Sequence, residues 1–185
     1  LEDPGQKIDD FRGAVDFIAN RKEFAASRIT VAGLGASAGY VAEESANDNR
    51  VDRVVMIAPW LQSPELVQQN RPDAGQKIRQ AREANHLFQQ DGVLTYVPVA
   101  SFSDHNAVMT SEYQSELDYY TNPERGNIPQ WENRFAVMGW SHWLNFDSTS
   151  SASRIRVPTL IIQTEADRNF AGTEEFISKM RSRPE

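Results

Sequence analysis

The run Gly33-Leu34-Gly35-Ala36-Ser37-Ala38-Gly39 constrains this chain more than any other stretch. An apolar, β-branched segment, Arg28-Ile29-Thr30-Val31-Ala32-Gly33, precedes it. A helix-compatible segment from about Ala38 to Asn47 follows it. A strand that turns sharply into a helix through small residues belongs to sheets whose strands run parallel and whose connections are helical. Other segments repeat the rhythm. Residues 7–20 place Ile8, Phe11, Val15 and Ile18 on one helical face, with Asp9 and Asp10 in the first turn. Arg53-Val54-Val55-Met56-Ile57-Ala58 and Val157-Pro158-Thr159-Leu160-Ile161-Ile162-Gln163 read as further strands, and Gly172 to Arg181 as a last helix. The expected class is α/β, with a mostly parallel sheet flanked by helices on both faces.

The middle breaks this rhythm. Residues 74–90 look helical, and Leu94 to Val97 read as a short strand. Residues 101–153 are polar but rich in aromatics: Tyr113, Tyr119, Tyr120, Trp131, Phe135, Trp140, Trp143 and Phe146. That stretch is too long for an ordinary connection and too aromatic for a linker. The organisation expected is a core over 1–62, an inserted helical and aromatic cap over 63–153, and a return to the core over 154–185.

Composition closes off several function classes. The 185 residues carry 19 Lys+Arg against 26 Asp+Glu, a net charge of −7, which disfavours nucleic acid and anionic membranes as partners. The apolar runs are only a few residues long, so no transmembrane helix is expected. There is no Cys, which removes thiol nucleophiles, disulfides and cysteine metal sites. His86, His105 and His142 are too scattered for a metal site, and no cofactor is expected. The acidic charge and the lack of a signal-like segment point weakly to the cytoplasm.

Gly35-Ala36-Ser37-Ala38-Gly39 satisfies G-x-S-x-G in the strand–turn–helix setting that pattern requires. Chance gives on the order of 0.05 matches in a chain this long. In such an elbow the serine is held in strained dihedrals with its hydroxyl above the sheet. Ser37 is then the candidate nucleophile, and the Ala38 N–H a candidate oxyanion donor. Two other readings use the same residues. Ser37 can simply cap the following helix. Gly33-Leu34-Gly35-Ala36-Ser37-Ala38 also fits the G-x-G-x-x-A dinucleotide fingerprint, but the next strand ends Ile57-Ala58-Pro59-Trp60 without the acid that holds a ribose.

At these residues the chain resembles the α/β-hydrolase superfamily. Ala14-Val15-Asp16-Phe17-Ile18, Arg28 to Gly33 and Ile155-Arg156-Val157-Pro158-Thr159-Leu160-Ile161-Ile162 are worded like its dienelactone-hydrolase-like and X-Pro-dipeptidyl-peptidase-like branch. The resemblance runs from Asp9 to Glu185 and covers the later part of that fold. It implies cleavage of an ester, thioester or peptide-like acyl bond in a small-molecule substrate. The triad acid falls on Asp167 in Thr164-Glu165-Ala166-Asp167, with Glu165 as the alternative. Trp60 is expected to line the acyl pocket, and His142, in the aromatic cap, to face substrate. Chain order puts the histidine after the acid, and the 18 residues after Asp167 contain none. The expectation is therefore a portion of a longer fold. Taken alone, it would expose apolar surface and oligomerise, or serve as a non-catalytic binding or assembly module.

Overall fold

The computed structural model describes residues 2–24, 28–111 and 114–181. The chain divides into two compact units, one of residues 3–72 and 144–185, the other of 1–2 and 73–143.

The first unit is built on three parallel strands. Helix α1 (Pro4–Ala19) starts where the Asp3 carboxylate accepts the Gln6 N–H at 3.1 Å, with Pro4 in the first turn where its missing N–H costs nothing. Strand β1 (Ile29–Leu34) leads through the glycine turn into α2 (Ser37–Asn47). Strand β2 (Val51–Ile57) follows, then α3 (Pro64–Asn70), capped by Ser63. The chain returns at residue 144 and passes a 3₁₀ turn at Ala152–Arg154. It then forms β7 (Thr159–Ile162) and α7 (Phe170–Lys179). The sheet order is β1-β2-β7, both pairs parallel. Residues 63–72 and 144–153 pack with this sheet. The Ser148 hydroxyl donates to the Gln62 carbonyl at 3.1 Å, and Ala152 and Ile155 lie in the core.

One sheet face carries that core. Val31, Val54 and Met56 point to it and meet Ala38, Val41 and Ala42 of α2, with Val15 of α1 and Phe176 of α7 in the same cluster. The opposite face differs from the expectation of cover on both sides. Registered rows Ala32–Val55–Leu160 and Leu34–Ile57–Ile162 run across it. Leu34 is 66% exposed, Ile57 40%, Leu160 39% and Ile162 51%. Among the described residues, this face stays open.

The second unit holds α4 (Ala74–Asp91), which ends at Gly92 in the left-handed region at φ 70°. It also contains the two-residue strands β3 (Tyr96–Val97), β4 (Ala100–Ser101), β5 (Met109–Thr110) and β6 (Phe135–Ala136), and helix α5 (Gln114–Thr121). β3 pairs antiparallel with β6, and β4 parallel with β5. Helix α6 (Gly139–Asn145) carries the chain back to the first unit. Of the aromatics that suggested a cap, Phe135, Trp140 and Trp143 are buried in this unit. The Phe135 and Trp140 rings lie 4.7 Å apart and the Trp140 and Trp143 rings 5.7 Å apart, both pairs tilted, and the buried Lys77 ammonium lies 4.4 Å from the Trp140 ring centre. Tyr113 lies outside the described residues. No helix of the described residues is long and apolar enough to cross a membrane.

Candidate active site

Because all three strands are parallel, their carboxyl ends lie at one edge of the sheet. Three loops leave there, and backbone hydrogen bonds tie them together. The Gly35 N–H donates to the Ile57 carbonyl at 3.1 Å, and the Trp60 N–H returns to the Gly35 carbonyl at 3.0 Å. The Ala58 N–H donates to the Ile162 carbonyl at 2.8 Å, and Gln163 Nε2 to the Pro59 carbonyl at 3.1 Å. The glycine turn, the Trp60 segment and the end of β7 are thus one bonded rim. Asp167 follows in the loop after β7, half-buried, and its carboxylate accepts the Asn169 N–H at 2.8 Å. Glu165 is exposed.

The turn itself departs from the expectation for Ser37. Among the described non-glycine residues only Ala58 has positive φ, at 43°. Ser37 instead opens α2 with ordinary helical backbone. The residue in the left-handed region is Gly35, at φ 60°. The Ser37 hydroxyl is half-buried; it accepts the Leu34 N–H at 2.8 Å and donates to the Leu34 carbonyl at 2.9 Å. These two bonds close the strand-to-helix turn. The Ala38 N–H, the expected oxyanion donor, donates to the Gly35 carbonyl at 3.2 Å. The Ala36 N–H, by contrast, donates to no group among the described residues.

Of the remaining candidates, Trp60 sits half-buried at the rim, with the Arg71 guanidinium 5.9 Å from its ring centre. His142 is exposed on α6, in the other unit, and is not among the residues the rim brings together. Among the described residues no cluster of His, Asp and Glu has the arrangement of a metal site.

A polar network ties α7 to Ser63 and Thr149, and sequence reading did not anticipate it. Glu175 accepts from Ser63 at 2.8 Å, from Thr149 at 3.0 Å and from Lys179 at 2.6 Å. Burial works against the Glu175 carboxylate, yet these donors outweigh it and hold the group below the usual range. The Ser63-Pro64 pair was the available signal, since serine before proline marks a helix start.

No protein-family description matches the sequence, and no curated protein matches it. Solved structures do match. The hypothetical protein PA2218 of Pseudomonas aeruginosa superposes with a TM-score of 0.79 at 21% identity, over 98% of this chain and 59% of that one. The α/β hydrolase GrgF of Penicillium sp. sh18 superposes with a TM-score of 0.76 at 20% identity, over 97% of this chain and 61% of that one. The enol-lactonase of Burkholderia xenovorans LB400 gives 0.52 at 16% identity, over 100% of this chain and 65% of that one. The chain has the α/β-hydrolase fold and spans less than two thirds of the length of these structures.

Proposed function

We propose that this chain carries an acyl-binding site of the α/β-hydrolase kind, for an ester, thioester or peptide-like acyl group, in a protein of the dienelactone-hydrolase-like branch. The observation that supports this reading is the bonded rim. Open parallel sheets take ligands outside the carboxyl ends of their strands. Here that end collects the glycine turn, Trp60 and the Asp167 loop. Trp60 offers an aromatic wall to the acyl chain, and the Ala36 N–H a donor to a carbonyl oxygen. Asp167 is the acid that would orient a histidine.

A second reading, hydrolysis through an acyl-serine at Ser37, is favoured by the G-x-S-x-G pattern and by Asp167. It requires an aimed hydroxyl and a base to take its proton. The two bonds to Leu34 favour the binding reading over it. The test is titration of the full-length protein with a non-hydrolysable thioether analogue of a short acyl thioester, followed by calorimetry. Loss of one buried aromatic contact is worth about 1.4 kcal/mol, so Trp60→Ala should weaken binding about tenfold. Equal affinity for wild type and variant would remove the rim as the acyl site.

A further inference from the structure

We infer that the nucleophile position of this elbow is Gly35, two residues before the serine of the G-x-S-x-G match, so that the site holds an acyl ligand without a side-chain nucleophile of its own. This rests on reading the rim as the acyl site. Three independent features set the register. The first is conformation. An elbow nucleophile is the residue that makes the sharp turn between strand and helix. That residue is Gly35 at φ 60°, while Ser37 is already helical. The second is packing. The residue two before the nucleophile must be small because strand and helix approach closely there. A Cβ on Gly33 would lie 2.6 Å from Ala38 Cα, Ala38 N and the Ser37 carbonyl oxygen, whereas a Cβ on Gly35 would meet nothing within 4 Å. Close approach therefore falls two residues before Gly35, and position 35 opens into free space. The third is hydrogen bonding. The oxyanion donor is the N–H one residue after the nucleophile. After Gly35 that is Ala36, whose N–H has no acceptor among the described residues; after Ser37 it is Ala38, whose N–H is already bonded. In this register Ser37 is a clamp on the turn.

The absence of cysteine from the 185 residues makes the register measurable. Gly35→Cys and Ser37→Cys each place a single thiol in this part of the protein. Alkylation by iodoacetamide forms one S–C bond, breaks one C–I bond, releases iodide and leaves the thiol proton with the buffer. Peptide mapping of the full-length protein follows its rate against pH. A thiol at the elbow sits free at the start of α2, where the helix N-terminus lowers its pKa. The expected result is that the Gly35→Cys variant reacts at least about tenfold faster than the Ser37→Cys variant at neutral pH, with the lower apparent pKa. Equal rates, or a faster Ser37→Cys variant, would overturn the assignment. A second measurement avoids any variant: full-length wild type is incubated with a fluorophosphonate and its mass taken. No adduct on the Ser37 peptide is expected, and an adduct there would overturn the proposal. Failure of the acyl-site reading looks different, since it appears as thioether affinity indifferent to Trp60.

Discussion

The open sheet face makes a quantitative prediction about self-association. Leu34, Ile57, Leu160 and Ile162 together leave about two full aliphatic side chains in water. Full burial of one such side chain is worth about 1.5–3 kcal/mol, so the face holds about 3–6 kcal/mol of unused burial per copy. On β7 alone, Leu160 and Ile162 leave about one full side chain exposed per copy. If two copies cover the face symmetrically, replacing both residues by lysine removes about two side chains of burial from the interface. The loss is about 3–6 kcal/mol, or a factor of about 10²–10⁴ in the dimer constant. The assay is sedimentation velocity of the 185-residue chain over a concentration series, with urea unfolding in parallel. Wild type should associate, and Leu160→Lys with Ile162→Lys should sediment as monomer. In the monomer, substitutions on an open face change stability by no more than about 0.5 kcal/mol. A wild type that stays monomeric refutes the reasoning about association. A variant that loses several kcal/mol of stability without any change in sedimentation refutes the description of the face as open.

Two further predictions concern stability. A Cβ on Gly172 would fall 1.9 Å from the Leu61 carbonyl oxygen and 2.7 Å from its carbon, both backbone atoms. Gly172→Ala should therefore cost about 3 kcal/mol in urea unfolding, while Gly13→Ala, in α1 with nothing within 4 Å, should gain about 0.5–1 kcal/mol. A mild effect at Gly172 would mean that α7 can move off Leu61. Glu44 is fully buried on α2, and its carboxyl is pushed up first by burial and further by the Asp48 carboxylate, against the pull of Arg12 and Arg50. The folded chain keeps a proton that the unfolded chain releases, so this group's contribution to stability falls as pH rises from the ordinary glutamate range through its raised value. Glu44→Gln should flatten that fall and stabilise the chain by on the order of 1 kcal/mol at pH 7. Urea midpoints across the acidic range check it, and a less stable Gln variant at pH 7 would show that the Arg12 ion pair at 3.6 Å dominates.

The strands were legible because β-branched runs such as Thr30-Val31 and Val54-Val55 suit a pleated, buried surface. Their one-sided burial was not. Leu34, Ile57, Leu160 and Ile162 are as apolar as the residues that alternate with them, so the segments read as buried on both faces. The two-residue strands around residues 96–136 are too short to show any period. The elbow illustrates a different limit. Gly33, Gly35, Ser37 and Gly39 put a small residue at every second position, so the same letters satisfy two registers. A pattern of residue types cannot choose between them. The choice lies in which residue takes positive φ and which one the helix backbone crowds.

Backbone strain in the sheet unit falls at the proposed rim. Left-handed backbone costs a non-glycine residue on the order of 1–3 kcal/mol and persists only where the surroundings enforce it, whereas glycine adopts it freely. In the sheet unit, the described residues with positive φ are Gly35 and Ala58. They follow the registered pair Leu34–Ile57, so both stand at the carboxyl end, side by side on neighbouring strands. The two turns are coupled, and only the alanine is strained by its conformation. The bend at Ala58 lets Trp60 turn back and donate to the Gly35 carbonyl, while the Gly35 N–H bonds to Ile57 just before that bend. A turn built only to join β1 to α2 would need no strained alanine on the next strand. The strained alanine is accounted for if the rim holds Trp60 and the Ala36 N–H, which donates to no group among the described residues, in the fixed positions that the proposed acyl site needs.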